Sequence, residues 1–506
     1  MVRYYVALLL CAVIGSMQAI ADDVAKQATA SDNAYDNNME NVAFNSLVFR
    51  RCLVSQRAQQ IDAQCAKLTR LENPKDLNSR LITLSIMKLP SRSLTPKPDA
   101  FTLIQGGPGA SSIDLAVNYS AVLEGIRAER DILVVDQRGT GRSNILPCIN
   151  MSEAEQINGG DVEQIKKLSQ VCLDALDADL RFYTTSVAVQ DLDAVRHAAG
   201  YEQLSIYGVS YGTRVAQHYL RRFPEQTRAV ILDGVSHIGL NLAGGEIARR
   251  SQSAFDQMAE RCSLSEECHS QFGSIQMKFS QLRDRLSKAP VNVSLAHPVS
   301  GELTEKEFSE EELFGLLRLM AYSTESNALL PMLISQAHAK NYGPLVAQAL
   351  MVGAEFSQGF AIGMSNSVVC AEDAPFVQAG DLQNLEATYL GKRMAESIAA
   401  MCEIFPRGVV DEDFFEPFDS DVPVLILSGE TDPITPPENG DKALDMLSNA
   451  MHLIVPAHGH GVFHRGCVLQ LGSEFIQKGS FESLDASCIE RERAMPFFSN
   501  HAGPKS

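Results

Sequence analysis

Gly208-Val209-Ser210-Tyr211-Gly212 sets a serine between glycines where an apolar run, Leu204-Ser-Ile-Tyr207, gives way to an amphipathic stretch reaching about Arg222. A G-x-S-x-G sequence between a strand and a helix makes a sharp turn that leaves the serine Oγ exposed at the helix N-terminus. The bare pattern is weak, because glycine and serine are common; the strand-to-helix context is what gives it meaning. The chemistry it suits is nucleophilic attack on a carbonyl carbon by Ser210, with the Tyr211 N–H facing the oxyanion that develops.

A serine hydroxyl needs a base, and the base needs a carboxylate to orient it. Both are found downstream, each after an apolar run. Asp432 stands in Ser428-Gly-Glu-Thr-Asp432-Pro-Ile-Thr-Pro-Pro437, a proline-stiffened loop after a strand ending at Leu427, with Glu430 as its competitor. Pro456-Ala-His458-Gly-His460-Gly461 follows the next run, Leu453-Ile-Val455. His458, His460 and His464 are all candidates for the base, and the flanking glycines place His460 best. The predicted chain order is therefore nucleophile Ser210, acid Asp432, base His460. A second oxyanion donor is predicted in Gln105-Gly106-Gly107-Pro108-Gly109, directly after Phe101-Thr-Leu-Ile104. The Gly107 N–H is the favoured donor and Gly106 the alternative; an ordinary tight turn is the plainer explanation of the same residues.

The elements that must hold these groups are legible in outline. Leu81 to Ile86 alternates apolar and polar residues, while Asp131-Ile-Leu-Val-Val135, Ala229-Val-Ile-Leu232 and Val422-Pro-Val-Leu-Ile-Leu427 are continuous apolar runs. Buried runs alternating with helical stretches predict a doubly wound, mostly parallel sheet. Between Asp233 and Val422 that rhythm stops and helical periodicity replaces it, as at Leu313, Leu316, Leu317 and Met320, behind a Ser309/Glu312 capping box. The predicted organisation is a signal peptide over 1–21, a first core part over 22–244, an inserted helical cap over 245–415, and a second core part over 416–506. Residues 22–45, polar and Asn/Asp-rich, read as a leader into the fold. Asp136-Gln-Arg138-Gly-Thr-Gly-Arg-Ser143, after the run ending at Val135, reads as a structural ion pair shaping a loop beside the site in preference to a substrate contact.

The 506 residues are 45% hydrophobic and 21% charged, enough for a large core. A formal charge of −19 argues against nucleic acid as partner and against docking on an anionic membrane surface. Arg3, the apolar stretch Tyr4–Ile14 and Ala19-Ile20-Ala21 have the pattern of a cleaved export signal. Leu10 before Cys11 disfavours lipid attachment there, and no later segment is apolar and long enough to span a bilayer. The chain has eleven cysteines. Setting Cys11 aside leaves an even number, which fall in sequential neighbours: Cys52 and Cys65, Cys148 and Cys172, Cys262 and Cys268, Cys370 and Cys402, Cys467 and Cys488. An oxidising compartment makes pairing the expectation, with connectivity open and free buried thiols as the alternative. No metal-ligand spacing occurs.

Gly106-Gly-Pro-Gly109, Asp136–Ser143, Gly208-Val-Ser-Tyr-Gly-Thr213, Asp432-Pro-Ile-Thr-Pro436 and Gly459-His-Gly461 together resemble the prolyl and tripeptidyl aminopeptidase family. The resemblance covers nearly all of the chain after residue 21, including Cys52/Cys65 and Cys370-Ala-Glu-Asp373. It implies an α/β-hydrolase fold and a serine exopeptidase acting on peptides with a free N-terminus, without metal or organic cofactor. Gln105 stands where prolyl iminopeptidases usually carry His, and Tyr211 where they carry Trp, a residue this chain lacks altogether. Both departures point to the tripeptidyl-like, secreted branch. Glu372 and Asp373 are the candidates for receiving the substrate ammonium from the cap, a helix cap or solvent position being the equal alternative. Two other readings stay open: a carboxylester hydrolase with the same triad, and a catalytically silent binding protein.

Overall fold

The computed structural model describes residues 47–148, 161–357 and 359–504. The signal peptide and leader predicted over 1–45 lie outside the described residues. Leu47–Ser506 form one compact unit.

The strands in chain order are β1 (Arg50–Gln56), β2 (Gln59–Leu71), β3 (Leu81–Leu89), β4 (Ala100–Ile104), β5 (Asp131–Val135), β6 (Leu204–Val209), β7 (Thr227–Asp233), β8 (Val291–Ala296), β9 (Leu303–Phe308), β10 (Val424–Gly429) and β11 (Ala450–Val455). Nine of them form one sheet in the order β1-β2-β3-β5-β4-β6-β7-β10-β11. From β5 to β11 every pairing is parallel, while β1, β2 and β3 join antiparallel at one edge. Every residue of β4, β6 and β10 is buried, as strands covered on both faces must be.

The two faces separate with the period of a strand. Phe101, Leu103, Tyr207, Leu425 and Leu427 share a cluster with Ile113, Leu115, Ile126, Leu471 and Phe475 from helices on one side. Ala100, Ile104, Ile206, Val424 and Ile426 pack instead with Val189, Leu192, Val215, Tyr219 and Ala443 on the other. β5 lies on one side of β4 and β6 on the other. The loops leaving β4 and β6 therefore diverge at a switch in strand order, where open α/β sheets bind ligands.

The segment between β7 and β10 divides in two by its packing. Phe255, Phe279, Leu282, Phe308, Leu313, Leu317, Leu333 and Ile334 make a third core of their own, roofed by the β8–β9 hairpin, which helical periodicity did not predict. The Ser309/Glu312 capping box starts its helix Glu310–Met320: each residue's side chain accepts the other's backbone N–H, at 3.2 and 3.0 Å. Ala361, Met364, Val368, Cys370 and Phe405 instead join the core of the main sheet with Leu146 and Tyr183. The tail of the predicted cap is thus packed as part of the sheet layer.

Five disulfides join the sequential neighbours: Cys52–Cys65, Cys148–Cys172, Cys262–Cys268, Cys370–Cys402 and Cys467–Cys488. Among the described residues no helix is long and apolar enough to cross a membrane.

Candidate active site

Ser210 sits between β6 and the helix Tyr211–Arg222 with φ 57° and ψ −127°, a conformation rare for a non-glycine residue. Strain of this kind persists only where the surroundings over-determine it. The Ser210 N–H donates to Asp233 O on β7 at 2.9 Å, and its carbonyl accepts from Thr213 N (2.9 Å) and Thr213 Oγ1 (2.6 Å). A Cβ on Gly212 would come within 2.1 Å of Ile104 O, so the helix can lie against β4 only with glycine there.

The loop after β4 meets the elbow directly. A Cβ on Gly106 would lie 2.6 Å from Ser210 Cβ. The Gly106 N–H is already donated to Gln105 Oε1 at 2.8 Å. The Gly107 N–H makes no hydrogen bond among the described residues, so of the two predicted donors it is the one left for an oxyanion. The Tyr211 N–H, first in its helix, has no acceptor within that helix. Phe360, which sequence reasoning missed, lies over the loop, 3.0 Å from where a Gly107 Cβ would stand.

Asp432 and His460 are brought together from the ends of β10 and β11, with His460 Nδ1 2.7 Å from Asp432 Oδ2. Asp432 Oδ1 accepts the N–H groups of Ile434 and Thr435 (both 2.9 Å), and Thr435 Oγ1 donates to Oδ2 (2.9 Å) while lying 3.0 Å from His460 Nδ1. The imidazole lies against β7: a Cβ on Gly234 would be 3.0 Å from His460 Cε1. Since Ser210 is bonded to Asp233 and His460 packs on Gly234, nucleophile and base share one corner of the sheet. Among the described residues the ring's hydrogen bonds run to Asp432 and Thr435; the link to Ser210 Oγ is not closed, and such bonds commonly tighten only in the Michaelis complex.

The competitors are occupied elsewhere. The exposed Glu430 accepts the Ala457 N–H at 2.7 Å and so braces the His460 loop. His458 Nδ1 lies 2.8 Å from Pro456 O, and His464 Nδ1 lies 3.1 Å from Tyr119 OH. Burial, with Arg465 nearby, lowers the His464 pKa to about 4. A residue the sequence showed only as a strand end holds the loop from beneath: Asp233 accepts N–H groups from Val462 (2.9 and 3.0 Å) and Phe463 (2.9 Å) and the Tyr207 hydroxyl (2.9 Å). Burial raises its pKa, although these donors oppose the rise.

Burial alone would lower the pKa of His460, but the charge and hydrogen bond of Asp432 outweigh it and hold the imidazole above the ordinary value of 6.5. Burial likewise works against the Asp432 charge, and His460 with the Thr435 and Ile434 amides more than offsets it, so that this carboxyl lies below its usual range. A base must be neutral to accept a proton, so activity is lost as pH falls through the raised value. The acid limb of kcat/KM on a neutral ester is therefore expected above pH 6.5, moving down in Asp432→Asn. A wild-type limb below that value would show that burial dominates.

The charges of 136–143 are structural, as expected: Asp136 pairs within the segment with the Arg142 guanidinium at 3.8 Å, and Arg138 pairs outside it with Asp191. Arg138 grips Asp191 (2.7 and 3.0 Å), while Asp136 accepts from Ser111 Oγ (2.6 Å) and the Ile113 and Arg142 amides (3.0 and 2.8 Å). Gln137 Nε2 in the same segment donates to Tyr211 OH at 3.2 Å. Glu372 and Asp373, predicted to meet a substrate amine, are 1% and 0% exposed. Glu372 accepts from Thr185 N (2.7 Å), Thr185 Oγ1 (2.9 Å) and Arg214 (3.4 Å). Asp373 holds Arg214 through both oxygens (3.1 and 3.0 Å). Burial raises the Glu372 pKa to about 7 in spite of Arg214. With their oxygens engaged and no open surface, neither is placed to receive an ammonium. They buttress the elbow instead, because Thr185 Oγ1 lies 2.7 Å from Tyr211 OH.

A nucleophile elbow, an amide loop beside it and an acid–base pair on the next strand ends define a hydrolase site on a doubly wound sheet. The profile of the alpha/beta hydrolase fold family matches residues 99–466, and the chain belongs to that family. Among curated relatives, the putative hydrolase YuaR of Escherichia coli (strain K12) is 30% identical over 237 residues, 45% of this chain and 47% of that protein. The serine protease Hip1 of Mycobacterium tuberculosis is 27% identical over 223 residues, 41% of this chain and 42% of its own length. The tripeptidyl aminopeptidase of Streptomyces lividans is 29% identical over 145 residues, 26% and 27% of the two chains. The chain thus spans less than half the length of the curated relatives it matches. Its fold and the candidate site it carries are those of the α/β-hydrolase family.

Proposed function

We propose that this hydrolase is an exported, periplasmic or secreted, exopeptidase that releases residues from free peptide N-termini through an acyl-enzyme. The observation that carries the reading is the kinship to a serine protease and a tripeptidyl aminopeptidase, in a chain whose acid–base pair closes at 2.7 Å beside the elbow. The five disulfides support an oxidising compartment.

His460 Nε2 takes the Ser210 proton as Oγ attacks the carbonyl. The Tyr211 and Gly107 N–H groups bind the oxyanion, and the imidazolium, oriented by Asp432, protonates the leaving amine. Water, deprotonated by the same imidazole, then releases the acyl group. The chain's own groups supply every step of this route.

The burial of Glu372 and Asp373 favours a second reading, a carboxylester hydrolase, because it leaves the exopeptidase without an identified amine contact. Turnover of an aminoacyl anilide, its N-acetylated form and a simple ester separates the two. The proposal expects the free-amine anilide to be cleaved and the blocked one spared. Cleavage of the ester alone would make the protein an esterase.

A further inference from the structure

The catalytic base is held by more than its acid. Tyr322 lies in the turn between the helices Glu310–Met320 and Thr324–His338 of the inserted segment. Its carbonyl accepts the backbone N–H of His460 at 2.8 Å. Its ring stands edge-on to the imidazole, with centroids 5.1 Å apart and planes at 76°. Arg318, one turn earlier, fixes the far end of that ring by donating to Tyr322 OH at 3.3 Å. Gly459 makes the approach possible, because a Cβ there would lie 2.4 Å from Tyr322 O and 3.1 Å from Ala321 O.

We infer that Tyr322 is a positioning residue for His460, so that the inserted segment sets the geometry of the base. Asp432 and Thr435 tether the imidazole only at Nδ1 and leave the ring to rock about its side-chain bonds. The Tyr322 ring blocks that rocking, and its carbonyl pins the backbone from which the ring swings. The flanking glycines of Gly459-His460-Gly461 thereby acquire a reason: the first admits the insertion to the loop. Movement of the insertion by a fraction of an ångström is transmitted to Nε2 without any contact to the substrate. The inference rests on His460 being the base.

The test is a double-mutant cycle on an activated p-nitrophenyl ester, with melting temperatures measured in parallel. Tyr322→Leu is expected to lower kcat by about 10- to 100-fold with KM little changed, as misplacement of a catalytic group does. Tyr322→Phe, which keeps the ring, should stay within about threefold of wild type, and Tyr322→Leu in a His460→Ala background should alter the residual rate by less than about twofold. If Tyr322→Leu does not fold, Tyr322→Met carries the same expectation. Equal loss in both backgrounds would mean that Tyr322 touches substrate or only supports the fold, and would overturn the inference. So would a harmless Tyr322→Leu, or a Tyr322→Phe as damaging as Leu. A nearly active His460→Ala would remove the base assignment itself, whereas an inactive one with a neutral Tyr322→Leu would remove this inference alone.

Discussion

Ser210→Ala is expected to lower kcat/KM on any substrate by about four powers of ten or more, with the melting transition unchanged. The size follows from the way the parts act. Without the hydroxyl there is no acyl-enzyme, and the amides of Tyr211 and Gly107 polarise a carbonyl that only water can attack. His460→Ala should cost about as much, since an unassisted serine hydroxyl is a weak nucleophile at neutral pH. Asp432→Asn should be severe but less complete, because Thr435 Oγ1 still lies 3.0 Å from His460 Nδ1 and offers the ring an alternative partner. Labelling with a fluorophosphonate checks the same assignment without a substrate: absent in Ser210→Ala and slowed in the other two. Labelling of wild type also excludes a catalytically silent binding protein. An inactive His458→Ala beside a normal His460→Ala would transfer the base to the wrong side of the loop and sink the assignment.

Arg214→Ala should destabilise the protein by about 3–5 kcal/mol, the usual cost of stripping a buried ion cluster of one partner. Arg214 answers both Glu372 and Asp373, and all three side chains are at most 5% exposed. Its removal leaves two carboxylates buried without a cation, and the pKa of Glu372, already raised by burial, must rise further. A group whose folded pKa lies above its unfolded value stabilises the fold below the unfolded pKa and loses that contribution as pH rises through the folded one. Glu372 already has a raised value of about 7. The deficit of Arg214→Ala should therefore be largest above neutrality and shrink on acidification, as read by urea melts over a pH series. Because Thr185 links Glu372 to the Tyr211 hydroxyl, ester and peptide turnover should fall together. A selective loss on free-amine peptides would return Glu372 to the substrate.

Much of this site was legible because its parts announce themselves locally. Ser210, Asp432 and His460 each follow an apolar run, and the fold puts successive strand ends side by side. The cysteines paired as sequential neighbours because each partner lies on the next element in space. What stayed hidden depends on distant partners. Nothing around Cys370-Ala-Glu-Asp373 shows that Arg214, 158 residues away from Glu372, will enclose both acids. Asp233 looked like a strand terminus until Val462 and Phe463 arrived to bond it. The β1–β2 hairpin escaped notice because it lies at the sheet edge, where only Val54, Ala63 and Ala66 are buried and little apolar alternation is needed. Apolar residues at 361–370 have the same helical spacing whether they face the insertion's own core or the sheet.

The adjacency of β7 and β10 has a consequence for the order in which the molecule is made. The segment 234–423 separates the two strands in sequence, although Val230–Asp233 pair with Val424–Leu427. A chain emerging N-terminus first can assemble β3 to β7 and bend the elbow while neither acid nor base yet exists. Long crossovers are tolerated because closure entropy grows only logarithmically with length. Until β10 docks, the outer rim of β7 offers unpaired amides and carbonyls to any passing strand, the hazard that every open sheet edge carries. On the proposed assignment the same delay is a safeguard: Ser210 stays unarmed until β11 brings His460 into place, and the last strand of the sheet is the one that starts the chemistry.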